Sequence, residues 1–182
     1  EKKDMRKDFV DFPKSSFLGM PKDTALIMDK ILKNQRLLKL LYYSDRDWES
    51  KPDLGSEELK SLITNKQISN VPKLVVDKVK RSYLRIGFDD FITNQGNPYY
   101  RDCVLEIKIA CHFDDWDLDN YELRPFRIAG ELDSMLNGER LTGIGILNFL
   151  SAGQDIYDDE YGGVTLRYFI VHGDEDKKNP LE

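Results

Sequence analysis

Apolar residues recur with a helical period in the first part of the chain. Between residues 24 and 43 they fall on one stripe with the basic residues largely off it, which predicts an amphipathic helix. Asp23 or Thr24 can cap its start. The apolar stripe consists of Ile27, Ile31, Leu38, Leu41 and Tyr42. Further on, SEELKSLITN places a serine before two acids and predicts a short helix, whereas NVPKLVVDKV fits a strand or another turn.

Strict alternation replaces the helical period after residue 82. The face expected to be buried consists of Leu84, Ile86 and Phe88 in YLRIGF and of Leu105, Ile107, Ile109, Cys111 and Phe113 in CVLEIKIACHF. The pair Asp89 and Asp90 breaks the alternation before Phe91, which predicts a β-bulge. NQGNP between the two runs is typical of a turn. We therefore expect an antiparallel pair with one face on a core and a polar face, carrying His112, towards solvent.

The segment LRPFRIAGELDSMLNG predicts a second long helix. Pro125 must lie in its first turn, since deeper in a helix the ring would clash with the preceding turn. The stripe expected to be buried consists of Ile128, Leu132, Met135 and Leu136, with Ala129 beside it. Arg124 and Arg127 fall on the other side, and Arg127 is spaced to pair with Glu131. The Asn-Gly pair that follows is expected to end the helix.

Two more strands are predicted near the end of the chain, in TGIGILNFL and GGVTLRYFIVHG. Apolar residues on both faces of these strands indicate burial by a helix on one side and by something else, such as a second copy of the chain, on the other. We interpret SAGQDIYDDEYGG between them as a long, acidic hairpin end. The order helix, strand, strand, helix, strand, strand predicts an α+β fold. It implies a mainly antiparallel sheet of about four strands with helices packed on one face.

The length of 182 residues suits a single domain. We expect an extended arm or a leader over residues 1–22, one α+β domain over residues 23–173 and a polar tail over residues 174–182. The first residue is Glu1 rather than Met, so we expect a fragment, a processed product or a tagged chain. Without an apolar run long enough for a membrane span, we expect a soluble protein made in a cytoplasm.

Composition narrows the classes of partner. A net charge of -6 argues against gripping nucleic acid, because that affinity comes mainly from Lys and Arg on phosphates. Basic residues do cluster at Lys73, Lys78, Lys80 and Arg81, which we interpret as a solvated face or a contact surface for an acidic partner. Cys103 and Cys111 are too far apart along one strand for a disulfide, so we expect two reduced, buried thiols.

The acidic stretch HFDDWDLDNY raises the question of a metal site. Asp115, Asp117 and Asp119 alternate like the first ligands of an EF-hand loop, but the loop lacks the glycine and the bidentate glutamate that the motif needs. The histidines and cysteines show no zinc spacing, and no nucleophile or phosphate-loop motif is present. We expect no enzyme activity, no bound metal and no cofactor, and we interpret the aspartates as a solvated connection into a helix.

The same order of elements carries a family resemblance. The ending DIYDDEYGGVTLRYFIVHG, with the pattern L-x-Y-x-I at Leu166, Tyr168 and Ile170, resembles the tail terminator proteins of long-tailed bacteriophages. The run LEIKIACHF, the acidic linker and the helix LRPFRIAGELDSML fit the same plan. The resemblance covers roughly residues 83–172 and the position of the helix at 24–43, while the segment 44–82 is longer than the plan requires.

The resemblance implies a homo-oligomeric ring, typically a hexamer, in the tail or neck of a virion assembled in host cytoplasm. Its partners would be a tail tube protein and a head-side neck or connector protein, with DNA passing nearby without specific binding. The candidate subunit or tail-tube contacts are Trp116, Tyr121, Arg124, Arg127, Tyr157, Asp158, Asp159 and Tyr161. Alternatives are a neck stopper or adaptor, a metal-dependent enzyme using the aspartate clusters, and a small bacterial interaction domain of no viral origin.

Overall fold

A computed structural model describes residues 16–71, 80–96, 100–141 and 145–172. The strands are β1 Ile68–Ser69, β2 Tyr83–Thr93, β3 Arg101–His112, β4 Arg140–Leu141, β5 Gly145–Ile146, β6 Asn148–Ile156 and β7 Tyr161–His172. The helices are α1 Met20–Lys33, α2 Gln35–Tyr42, α3 Ser56–Thr64 and α4 Arg124–Leu136. Five strands form one sheet in the order β1-β2-β3-β7-β6, and β4 and β5 form a small second sheet. The predicted α+β class is confirmed.

The centre of the sheet follows the alternation in the sequence. β3 pairs antiparallel with β2 on one side and with β7 on the other, so it is hydrogen-bonded along both edges. Its side chains at Leu105, Ile107 and Ile109 are buried in the main core together with residues of α1, α2 and α4. The predicted bulge is confirmed, because the β2–β3 register shifts between Asp89 and Ile92. Asp90 has a φ of 54°, which accommodates the extra residue.

The first predicted helix is two helices. Asn34 interrupts the stripe with an extended ψ of 92°, and its side-chain oxygen accepts a hydrogen bond from the Leu37 amide, so that Asn34 caps α2. The apolar stripe continues across this break, which is why periodicity alone could not locate it. α1 also begins earlier than predicted, at Met20, because Pro21 fits the first turn of a helix. Asp23, expected as a cap, lies inside α1 and is buried.

The region after α4 also differs from the prediction. TGIGILNFL is not one strand: Arg140–Leu141 pairs with Gly145–Ile146, and a separate strand, β6, begins at Asn148. β6 then continues to Ile156, so most of the segment predicted as a hairpin end belongs to the sheet. The turn between β6 and β7 is only residues 157–160. The acidic residues of this turn favour a longer turn in the sequence, but the strand before it carries a single charged residue, Asp155.

Several expectations concern residues on which the structure is not described. The arm predicted over residues 1–22 is helical from residue 16 onwards, and residues 1–15 lie outside the described ranges. The predicted tail, Lys73 and Lys78, and parts of the runs NQGNP and TGIG also lie outside them. In the described ranges, no helix is long and apolar enough to cross a membrane.

Candidate interaction surface

The edge strand β6 is the least protected part of the sheet. Within the described residues no strand pairs with its outer side, which leaves a sheet edge open to pairing with another strand. Natural proteins usually block such an edge with lysine, proline, outward charges or a very short strand. β6 has nine residues, no proline and only Asp155 as a charge, and that carboxylate accepts a hydrogen bond from the Thr165 hydroxyl. The register with β7 shifts between Phe149 and Ser151, so a bulge at Leu150 interrupts the first part of β6. The remaining stretch, from Ala152 to Ile156, lacks the usual protection against pairing.

The helical layer leaves the inner face of β6 partly uncovered. Phe149 contacts the buried Tyr168 ring, with 6.0 Å between centroids, and its amide donates to the Asn137 side chain at 3.2 Å. Even so, the exposed fraction is 47% for Phe149, 53% for Leu150 and 82% for Ile156. The register partners of Phe149 and Ile156 on the neighbouring strand β7, Tyr168 and Gly162, are buried, while Leu150 has no partner because it lies at the register shift. β6 thus extends beyond the helices as an apolar overhang.

A second exposed apolar area lies at the end of the sheet where β3, β6 and β7 meet the N-terminus of α4. We define this end surface by Phe113, Tyr121, Leu123, Phe126 and Ile156, each at least 37% exposed. Phe113 lies over β7, since a Cβ added at Gly162 would be 2.8 Å from its ring, and Gly162 pairs with Ile156. Leu123 precedes α4 and forms an isolated bridge with Asp117. The sequence predictions included only Tyr121 of these five residues.

Tyr121 is displayed at the tip of a closed loop. Its side chain is fully exposed, and both Asn120 and Tyr121 have a φ of 62°, in the left-handed region that bulky residues rarely adopt. The Leu118 amide donates to the Glu122 carbonyl at 2.9 Å and holds the loop closed. The geometry therefore leaves the Tyr121 side chain exposed while fixing its position. Its contact with a neighbouring subunit stays a prediction.

Trp116, the second aromatic in the predicted set, is only partly available. Its indole Nε1 donates to the Cys111 carbonyl at 3.1 Å, and its ring lies 5.3 Å from the Phe113 ring. It is half-buried and packs against the main core. Its main observable role is to support Phe113 from below.

Arg124 was expected on the solvent side of α4, and that expectation is wrong. Its side chain is fully buried, and its guanidinium donates to four backbone carbonyls. These are the carbonyls of Asp115 at 2.8 Å, Leu40 at 2.9 Å, Tyr43 at 2.6 Å and Asp45 at 2.7 Å. The carbonyls at the end of α2 carry the negative end of the helix dipole, so they suit a cation. Burial lowers the pKa of Arg124, and the side chain is a clamp within the domain rather than a contact for a partner.

Arg127 is also engaged within its own chain. It makes the predicted pair with Glu131 at 3.2 Å, which is confirmed, and it approaches Glu122 at 3.6 Å. Its guanidinium lies 5.7 Å from the centre of the Trp48 ring, on which Arg36 also stacks at 5.4 Å. The side chain remains 29% exposed, so a contact with a neighbouring subunit stays a prediction.

At the turn between β6 and β7, the predicted tyrosines are covered by other residues while the predicted aspartates are exposed. Tyr161 is 2% exposed and packs on Tyr83 and His112, which argues against its predicted contact role. The Tyr157 hydroxyl donates to the Ile109 carbonyl at 3.2 Å, and burial raises the pKa of Tyr157 to about 12. Asp158 is exposed, but one of its oxygens accepts the amides of Glu160 and Tyr161. Asp159 is exposed as well, so the two acids are the accessible members of this set.

Acidic residues surround the end surface. Residues 113–123 contain five acids and residues 152–160 contain four, with no Lys or Arg in either segment. Three bases from other elements reach them: Lys80 pairs with Asp114, Arg46 with Asp117, and Arg127 with Glu122. The hydrogen bond from Lys80 lowers the pKa of Asp114. Six of the nine acids have no such basic partner in the described ranges, and one of the six, Asp155, bonds Thr165 on the opposite face of the sheet from Ile156. The other five make the end surface acidic.

The acidic residues do not come together as a metal cage in the structure described. Over residues 16–71, 80–96, 100–141 and 145–172, no group of three or more His, Cys, Asp or Glu side chains is placed to hold a metal ion. His112, predicted on the solvent side of β3, is largely covered: it lies against the Tyr161 ring and accepts a hydrogen bond from the Asp114 amide at 3.2 Å. Its position follows from packing within the domain.

Fold and surface together define a two-layer α+β domain with an open sheet edge and an acidic, apolar end. Comparison with known proteins adds the family. The YomW family model matches residues 34–170, which is most of the chain, so the protein belongs to the YomW family. That family is phage-derived. No curated protein matches the chain.

Proposed function

We propose that the protein is a phage tail terminator. In this role it is a non-enzymatic assembly protein that forms a homo-oligomeric ring, expected to be a hexamer, at the end of the tail tube. The ring stops polymerisation of the tube protein and joins the tail to a head-side neck or connector protein in the virion. Membership of a phage-derived family supports the viral setting. The resemblance in the order of elements supports the finer role.

The observation that carries the proposal is the open edge of β6. A protein that acts alone would expose this edge to uncontrolled pairing, because apolar side chains and unpaired backbone groups occur together on it. A protein that acts in a ring covers the edge with the next subunit. The exposed Phe149 and Leu150 would then add apolar burial to the backbone hydrogen bonds.

A closed ring requires two different surfaces on each subunit, one for each neighbour. The described part of the sheet offers two different edges. β6 is one, and the other is at β1, which has two residues and pairs with Leu84 and Arg85 of β2 alone. These edges differ in length and in sequence. A contact between the β6 edge of one subunit and the β1 edge of the next would therefore be repeated in one direction around the assembly. Such a head-to-tail contact closes into a ring when the rotation per subunit allows it.

The charge of the protein is consistent with DNA passing through the ring. A net charge of -6 repels phosphate, so the genome would slide past an acidic lining without being held. The negative charge therefore supports a ring that lets DNA pass without binding it specifically.

The ring is tested by light scattering coupled to size exclusion, at several concentrations and with and without a tail tube protein. We expect a discrete ring-sized species, or one that forms only with the tube protein. Leu150→Lys should prevent it, because a lysine on an edge strand blocks pairing. Ile63→Lys, an equally drastic change at an exposed apolar residue of α3, is the matched control and should leave the ring intact.

The outcomes separate the proposal from its alternatives. A strict monomer at high concentration that also ignores the tube protein would contradict the tail terminator role. A ring that binds a head-side neck protein but not the tube would indicate a stopper or adaptor instead. A melting temperature that rises in Mg²⁺, Mn²⁺, Ca²⁺ or Zn²⁺ would favour the metal-dependent enzyme, since a true site stabilises the fold by mass action.

A further inference from the structure

We propose that the end surface docks a basic segment of a partner protein that carries apolar or aromatic side chains between its Lys and Arg residues. The inference does not depend on the ring or on the tail terminator role. It rests on the joint presence of apolar exposure, fixed geometry and negative charge at one end of the domain.

Five large apolar side chains are exposed at this end of the domain. Tyr121 is fully exposed and Ile156 is 82% exposed, while Phe126 on the first turn of α4 is 45% exposed. Single exposed apolar residues are ordinary, but a group of this size at one end of a domain is typical of a binding site. Aromatic residues are also the type most enriched where binding energy is concentrated.

The geometry is fixed before any partner arrives. Arg124 ties the segment before α4 to the end of α2, and the loop that carries Tyr121 is closed by the Leu118 amide. Phe113 rests on Trp116 and lies over Gly162. Because these anchors are already ordered, docking would cost little conformational entropy.

The charge of the surround selects the partner. Five acids without a basic partner in the described ranges lie in the segments that carry the apolar residues, so a basic segment is attracted and correctly oriented. Nucleic acid and anionic lipid surfaces would be repelled. A second copy docking by the same surface across a two-fold axis would bring acid against acid, which is unfavourable. A basic polypeptide with apolar side chains satisfies both properties of the site.

The test uses the full chain and two fluorescently labelled peptides of equal length and equal positive charge. One peptide carries leucine and phenylalanine between its lysines, and the other carries serine. Binding is followed by fluorescence anisotropy at low and moderate salt. We expect the apolar peptide to bind at least about tenfold more tightly than the serine peptide, and salt to weaken both.

Matched variants locate the binding. The double variant Phe126→Ser with Ile156→Ser should weaken the apolar peptide by about tenfold or more. Leu150→Ser removes an equally exposed side chain from the other end of β6 and should leave binding unchanged. Both variants change exposed residues, and an unaltered melting curve for each confirms that they fold.

Three results would overturn the inference. Equal binding of the two peptides would mean that charge alone attracts them. Binding that survives in the double variant would place the contact elsewhere. Self-association that disappears in the double variant, together with no peptide binding, would make a second copy of the chain the occupant. None of these results bears on whether Leu150→Lys prevents a ring, so the two proposals fail separately.

Discussion

β7 and β6 are neighbours in one sheet and carry similar apolar residues, yet their surroundings are opposite. Tyr168 on β7 is completely buried, while Phe149, its register partner on β6, is 47% exposed. Leu166 on β7 is 3% exposed because the helices cover it. The difference shows that alternation in a sequence indicates which side chains share a face, but not whether anything covers that face. In this protein the helical layer ends between β7 and β6, although the two strands are hydrogen-bonded to each other.

The largest expected effect concerns the clamp that holds the covered region together. Arg124→Ala leaves four carbonyls without their donor and opens a cavity, so we expect a loss of about 3–5 kcal/mol in the free energy of unfolding. Arg124→Lys keeps the charge but cannot reach the same set of carbonyls, and its loss should be smaller. Urea denaturation followed by circular dichroism measures both. A loss below about 1 kcal/mol for the alanine variant would show that the clamp is not structural.

A smaller effect is expected when a glycine on β7 and a glycine on β6 are each replaced by alanine. A Cβ at Gly163 on β7 would lie 1.8 Å from the Ile109 carbonyl oxygen, so Gly163→Ala must force β7 away from β3 and should cost about 3 kcal/mol. A Cβ at Gly153 on β6 would meet nothing within 4 Å, so Gly153→Ala should stay within about 0.5 kcal/mol. Thermal melts of the pair give the comparison. Equal losses would mean that β6 is as tightly covered as β7.

The smallest effect per residue is the contribution of each buried thiol to the dependence of stability on pH. Burial raises the pKa of Cys103 and Cys111 to about 12, whereas an unfolded thiol titrates near 8.5. Above that unfolded value the unfolded chain loses protons that the native chain keeps, so stability falls as pH rises towards 12. By pH 10 each thiol should account for about 2 kcal/mol.

The pH prediction has an internal control. Cys111→Ala should remove the contribution of one thiol from the slope of unfolding free energy against pH. Denaturation series between about pH 8 and pH 10, which span the unfolded thiol pKa, measure this slope. The same cysteines should react with a thiol reagent only as fast as the domain opens. Rapid labelling of the native protein would contradict their burial.

Local patterns in the sequence were enough to predict the strands at the centre of the sheet. The alternation in LEIKIAC gave the correct buried face, and the acidic pair at Asp89 and Asp90 predicted the bulge, because both depend on neighbouring residues alone. The break at Asn34 could have been recognised from an asparagine before QRLL, a residue type suited to a helix cap. The acids of the YDDE turn concealed the strand character of β6.

The candidate surface was predicted less well, for a physical reason. A helical wheel assigns Arg124 to solvent, but the first turn of α4 is covered by α2 and by the segment before α4, which no local pattern reveals. The same limit applies to Phe126 and Ile156, since their exposure depends on where the helical layer ends. Tyr121 was in the predicted contact set as an aromatic residue in an acidic connection, and the structure shows that its side chain is fully exposed.

The Arg124 clamp has a consequence for how the native protein opens. One guanidinium bonds carbonyls as far apart in the chain as Leu40 and Asp115, so neither segment can detach without leaving the charge unsatisfied. Amide protons at the end of α2 and at the start of α4 should therefore exchange with solvent as one cooperative unit. The apolar overhang of β6 has no such tie and should exchange from its outer side first. In the proposed ring, each subunit would meet its neighbour through β6 while the clamped centre stays closed.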